Sequence, residues 1–151
     1  MPLLAGKLYD PAVAVTAATT GNTAMAAFDT TNLRLSFTVP ASGRVMVRIC
    51  CTVHGATTFP TILLGVLEGS TVRGRMSPIG GLKTTAVATS QVTQEAVFVV
   101  SGLTPSASLN WDAAWACEVG IASTGIKYGG PNDTTTNNAF GGIAFEIWNV
   151  G

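Results

Sequence analysis

FTVPASGRVMVRICC, residues Phe37 to Cys51, decides how the rest of the chain is read. A run ending at Val39 meets Pro-Ala-Ser-Gly, a composition that favours a tight corner, and a second run starts at Arg44. From there Val45, Val47, Ile49, Cys51 and Val53 fall on one side of a period-two pattern, while Arg44, Met46, Arg48, Cys50, Thr52 and His54 fall on the other. The period predicts a strand with one buried face. The two arginines pose the functional question: a basic binding site, or the outward tiling of a sheet.

The same alternation recurs in Leu33, Leu35, Phe37 and Val39, and again in Val92, Gln94, Ala96, Phe98 and Val100. Turn-forming clusters separate such runs: residues 40–43, 68–70, 78–81, 101–102, 104–106 and the long GGPNDTTTNN at 129–138. Short strands with frequent turns predict an all-β sandwich, jelly roll or barrel. Two stretches invite a helical reading. Pro11 to Phe28 is rich in Ala, yet its Thr and Gly residues break helical preference and no i, i+4 apolar stripe survives, so it reads as an extended arm or edge strands with a loop. In LNWDAAWACEVGI, residues 109–121, the spacing of Trp111 and Trp115 suits a helix, but Trp115, Cys117, Val119 and Ile121 alternate, and a strand is expected. Nothing marks a second domain. Residues 1–30 are read as an N-terminal arm, docking or edge strand, and 31–151 as the β-domain.

Charged residues make up 11% of the chain, against roughly 25% in an average soluble protein. A surface this bland is either hidden against identical copies or built from Thr, Ser and Asn. The eight basic and eight acidic side chains cancel, so no net field draws in nucleic acid or an anionic membrane. No stretch approaches the ~20 apolar residues that a membrane-spanning helix needs. MPLLAGKLYDPAVAV lacks the basic and apolar regions of a signal peptide. The three cysteines, Cys50, Cys51 and Cys117, have no zinc or disulfide spacing and read as small buried hydrophobes. A reducing cytosol suits them.

Candidate sites are few. Arg44 and Arg48 share a strand face with Thr52 and His54, which favours a solvated or interface-lining sheet face. Arg73 and Arg75 alternate in the same way and could extend it. Trp111, Trp115 and Trp148 are natural anchors for subunit or capsid contacts. His54 is the only histidine. Cys50 is too far along the same strand to exchange a proton with it, so no catalysis is expected. GIASTGIK, residues 120–127, fails as a phosphate loop because Ile126 separates Gly125 from Lys127. Asp133 with Asn132 and Asn137 offers one carboxylate, too few for a calcium site. No metal or cofactor is expected. The 129–138 loop, with Tyr128, Asn132, Asp133, Asn137 and Phe140, is the candidate recognition tip.

FDTTN at 28–32, FTVPASG at 37–43 with VMV at 45–47, and AFGGIAF at 139–145 resemble the early and closing strands of complement globular-head and tumour-necrosis-factor jelly rolls. YDPAV at 9–13, LGVLEGSTVRGR at 64–75, PIGG at 78–81 and GGPNDTT at 129–135 are similar to short virion proteins of tailed bacteriophages that carry this jelly roll. The resemblance implies a non-enzymatic homotrimer on the virion surface, assembled in the host bacterial cytoplasm and held to the major capsid protein as a decoration. Its alternative is a tail-fibre or receptor-binding tip that recognises a host surface glycan. The family assigns no catalytic residues, and the short segment before Phe28 departs from the long shaft of fibre proteins.

Overall fold

The computed structural model describes residues 1–17, 24–55, 62–76, 90–117, 125–131 and 139–151, with the backbone alone at 53–55, 90–92, 117 and 125. These residues form eleven strands and no helix: β1 (Leu3–Tyr9), β2 (Val15–Ala17), β3 (Ala26–Ala27), β4 (Arg34–Thr38), β5 (Val45–Gly55), β6 (Ile62–Glu68), β7 (Thr71–Met76), β8 (Ser90–Val100), β9 (Ser108–Cys117), β10 (Gly125–Tyr128) and β11 (Ile143–Asn149). Local chemistry explains the pieces. The Pro40–Gly43 corner closes on itself, the Gly43 N–H donating to the Pro40 carbonyl at 2.9 Å. In β4, Leu35 and Phe37 turn inward while Arg34, Ser36 and Thr38 stay in water. The stretch around Trp111 is a strand: side chains 111, 113 and 115 share its buried inner face, which sets two aromatic rings on the pleated surface.

Both sheets are antiparallel, and each is organised by one long strand. In the first, β5 pairs along one edge with β8, from Val45 opposite Val100 to Gly55 opposite Ser90. Its other edge is divided: Val45 to Cys50 pair with β11, and Thr52 to His54 pair with β10. β1 lies beyond β11, and β2 beyond β10. In the second sheet β9 takes β6 on one edge, with β7 outside it, and shares its other edge between β4 and β3. The described part of residues 1–30 therefore supplies edge strands to both sheets. Four of the antiparallel pairs are nested, β1 with β11, β4 with β9, β5 with β8 and β6 with β7, and the β5–β11 and β6–β9 pairs join them into two sheets.

The two inner faces meet in a β-sandwich-like core. Val45, Val47, Ile49, Phe145 and Ile147 from the first sheet pack with Leu35, Phe37, Leu64, Val66, Trp111 and Trp115 from the second. Each such side chain contributes about 1.5–3 kcal/mol by leaving water. At one side the sheets approach closely, and this dictates Gly74: a Cβ there would lie 2.8 Å from Phe98 and 2.9 Å from Val100. Two of the outer edges are blunted. β1 carries a bulge between Leu3 and Ala5 and turns Lys7 inward beside Phe145, and β7 carries Arg75 and a bulge whose extra residue is Arg73. Charges and bulges of this kind oppose edge-to-edge pairing.

Candidate functional site

Arg44 and Arg48 stand on the outer face of the first sheet, where pairing aligns four strands. One row holds Val99, Met46, Trp148 and Leu3; the next holds Val97, Arg48, Glu146 and Gly6; a third holds Glu95, Cys50, Ala144 and Leu8. Arg48 is committed within the chain. Its Nε donates to Glu95 Oε1 and its Nη1 donates to Glu146 Oε1 at 3.3 Å. The Glu95 hydrogen bond, helped by Glu146, raises the guanidinium further above its ordinary range. Glu146 also receives the indole N–H of Trp148 at 3.0 Å, which fixes the ring as a half-buried plate. Arg44 is exposed, with no side-chain partner among the described residues.

This face is apolar for an exterior. Met1, Leu3, Leu8 and Val99 are 70%, 51%, 68% and 49% exposed, and all four lie on it or at its edge. An open cleft of about 400 Å³ runs between Met1, Met46, Trp148, Arg48 and Glu146. The outer face of the second sheet is mixed: Val72, 42% exposed, lies beside Leu67, and the β4 side is polar. There Arg34 clamps Asp112 through two bonds of 2.7 and 2.8 Å, and Ser36 meets Asn110. Sequence reading passed over the apolar face although one signal marked it. AVFVV, residues 96–100, is apolar on both sides of its strand, which predicts burial of both.

The remaining candidates are dispersed. Arg73 and Arg75 belong to the second sheet and do not extend the Arg44–Arg48 face. Arg73 donates to Glu68 at 2.8 Å, and Glu68 also accepts the Trp111 indole N–H at 3.2 Å. Trp111 and Trp115 are core residues, 0% and 3% exposed, so neither has surface to offer a subunit or capsid. Trp111 meets the Phe37 ring edge-on at 4.9 Å, and Trp115 stacks on Phe28 at 6.4 Å. Of the tryptophans, Trp148 is the one on the surface.

At the recognition loop, Tyr128 and Phe140 are buried at its base instead of standing at a tip. Tyr128 faces inward with Ile126, its ring 5.8 Å from that of Tyr9. Burial first, then the nearby Asp29 and Tyr9, pushes its hydroxyl up to about 12. Phe140 lies under Lys127, whose Nζ is 5.2 Å from the ring, and its carbonyl accepts the buried Thr52 hydroxyl at 2.7 Å. The base is stapled at Gly129, which sits at φ +76° and leaves no room for a Cβ against the Pro11 carbonyl. That carbonyl accepts the Gly130 N–H at 2.8 Å. Asn132, Asp133 and Asn137 lie outside the described residues, as does the His54 side chain.

Chemically reactive groups are subdued. Burial pushes the Cys51 thiol far up, and burial raises Cys50 as well, against the pull of Arg48. Among the described residues no three His, Cys, Asp or Glu side chains gather as a metal site would require, and no helix is long and apolar enough to cross a membrane. Compared with known proteins, the chain matches no family model and no curated sequence.

Proposed function

We propose that this chain is a non-enzymatic virion protein of a tailed bacteriophage, a jelly-roll homotrimer that decorates and stabilises the capsid surface. The observation that carries it is the contrast between the two outer faces. On the second sheet's outer face Arg34 is paired with Asp112 and Ser36 with Asn110, beside a smaller apolar strip at Leu67 and Val72; the first sheet's outer face leaves Met1, Leu3, Leu8 and Val99 uncovered. An apolar sheet face on a chain with so few charges suits a building block that loses that surface on assembly.

Two further lines support the reading. The nested pairing of β1 with β11, β4 with β9, β5 with β8 and β6 with β7 is what results when a long antiparallel ribbon is rolled into two sheets, which is the jelly-roll path. The sequence resemblance to phage decoration and fibre proteins points the same way. For the glycan-binding alternative, burial of Tyr128 and Phe140 removes the two rings that would have stacked on a sugar.

Cryo-electron microscopy of particles carrying the chain tests the proposal. Density for three copies per decoration site on the major capsid protein is expected. Density on the tail alone would transfer the protein to the fibre class, and absence from purified particles would remove the virion reading altogether.

A further inference from the structure

We propose that copies of this chain join through the outer face of the β8–β5–β11–β1 sheet, with Arg44 of one copy set against the Glu95 and Glu146 carboxylates of the next. The inference rests on the self-assembling reading above and supplies its surface and its chemistry.

The edges at β1 and β7 are poor places for such a junction. β1 is guarded by its bulge and inward Lys7, and β7 by Arg73 and Arg75. Faces remain, and the outer face of the second sheet has no carboxylate to offer a neighbour's cation among the described residues, since Asp112 is held by Arg34 and Glu68 by Arg73 while Arg75 is left over. On the first sheet the greasy row of Val99, Met46, Trp148 and Leu3 lies next to the cleft floored by Arg48 and Glu146. Trp148 loses little freedom on contact because its N–H is already held by Glu146. A pre-ordered aromatic ring beside a cleft is the usual centre of an interface.

Charge identifies the occupant. Arg48 faces two carboxylates, so the triad carries one surplus negative charge, while Arg44 has no partner among the described residues. The two sites are four residues apart along one strand, about 13 Å, with the apolar row between them. Because the cation and the anion stand apart on the face, copies can be joined head to tail, Arg44 of each against the carboxylates of the next, which is the heterologous contact a closed ring of three requires. An unrelated partner would need the mirrored arrangement, whereas a second copy possesses it. Neither copy repels the other, since eight basic side chains balance eight acidic ones.

The test compares wild type with V99D, R44E and T38D by light scattering and sedimentation across a concentration series at low and high salt. Thr38 is exposed on the outer side of the second sheet and serves as the control. Wild type and T38D are expected to assemble alike. V99D should weaken assembly by at least a hundredfold, and R44E by roughly tenfold or more, the R44E loss shrinking in 1 M salt. Hydroxyl-radical footprinting of wild type keeps the inference exposed even if a variant misfolds. Met1, Met46 and Trp148 should become protected as concentration rises, while Met76 on β7 should not.

A wild type that stays monomeric at every concentration overturns this inference and the trimer together. Assembly that survives V99D and R44E but not T38D, or that protects Met76 instead of Met46, overturns the face and leaves the trimer standing. Assembly that behaves as expected in a protein absent from phage particles supports the face and removes the virion reading.

Discussion

Replacing Trp111 with Phe is the sharpest probe of the core. The indole is fully buried, meets Phe37 edge-on at 4.9 Å and donates to Glu68 at 3.2 Å. A phenyl ring keeps the aromatic contact but forfeits roughly 40 Å² of buried area, about 1 kcal/mol. The lost hydrogen bond adds about 1 kcal/mol and no more, because Glu68 is partly in water and keeps Arg73 as a partner. The sum, about 2 kcal/mol, lowers the melting temperature of a domain this size by roughly 4–8 °C. Trp111→Ala, which leaves a cavity, should cost about 3–5 kcal/mol. Urea unfolding followed by circular dichroism, at one protein concentration for all variants, measures both, with Trp148→Phe as the surface comparison at under ~1 kcal/mol. If Trp111→Phe proves no more costly than Trp148→Phe, the assignment of Trp111 to the core is wrong.

Other substitutions test the loop base and the titrating groups. Gly129→Ala places a side chain at positive φ against the Pro11 carbonyl and should cost about 1–3 kcal/mol for the backbone conformation alone; an unchanged urea midpoint would contradict the staple. The folded Tyr128 hydroxyl titrates near 12 and an unfolded one near 10, so its stabilising contribution is intact below pH 10 and is lost between about pH 10 and 12. Tyr128→Phe should flatten that alkaline decline in urea midpoints, and a parallel decline in the variant counts against it. For Asp29, burial acts to raise the carboxyl, but hydrogen bonds from the Asn32 side chain and from the Asn32 and Thr31 backbone, with the charge of Lys7, outweigh it and hold the group below 3.8. Its contribution is full above the ordinary carboxylate range and fades as pH falls through the lower folded value, so Asp29→Asn should lose less stability than wild type between pH 4 and pH 2.

Legibility followed locality. The alternation in β4 and β5 was visible because each strand has one buried face, and the Pro40–Gly43 corner because turn chemistry is written in four residues. Arg48 could be read as sheet surface, but not its two carboxylates, which arrive from strands 47 and 98 positions away. Arg73 and Arg75 alternate like Arg44 and Arg48, and period alone does not say to which sheet a strand belongs. Trp111 and Trp115 were expected at contacts because tryptophan often anchors interfaces. Their shared parity with Ala113 was the better guide, since a face of Trp, Ala and Trp has no polar atom facing water apart from the indole N–H. Tyr128 continues the inward parity of Ile126, a pattern obscured by the glycine-rich run that follows it.

The nested pairing also carries a cost during synthesis. Trp148 is the register partner of Leu3, so β1 leaves the ribosome long before β11, the strand it pairs with, is made. Until then its unpaired amides and the uncovered Leu3 and Leu8 are open to the nascent chains of adjacent ribosomes. Pairings so distant along the chain also slow folding. Expression at low temperature, or with a holding chaperone, should therefore raise soluble yield more than any change to the finished molecule's stability.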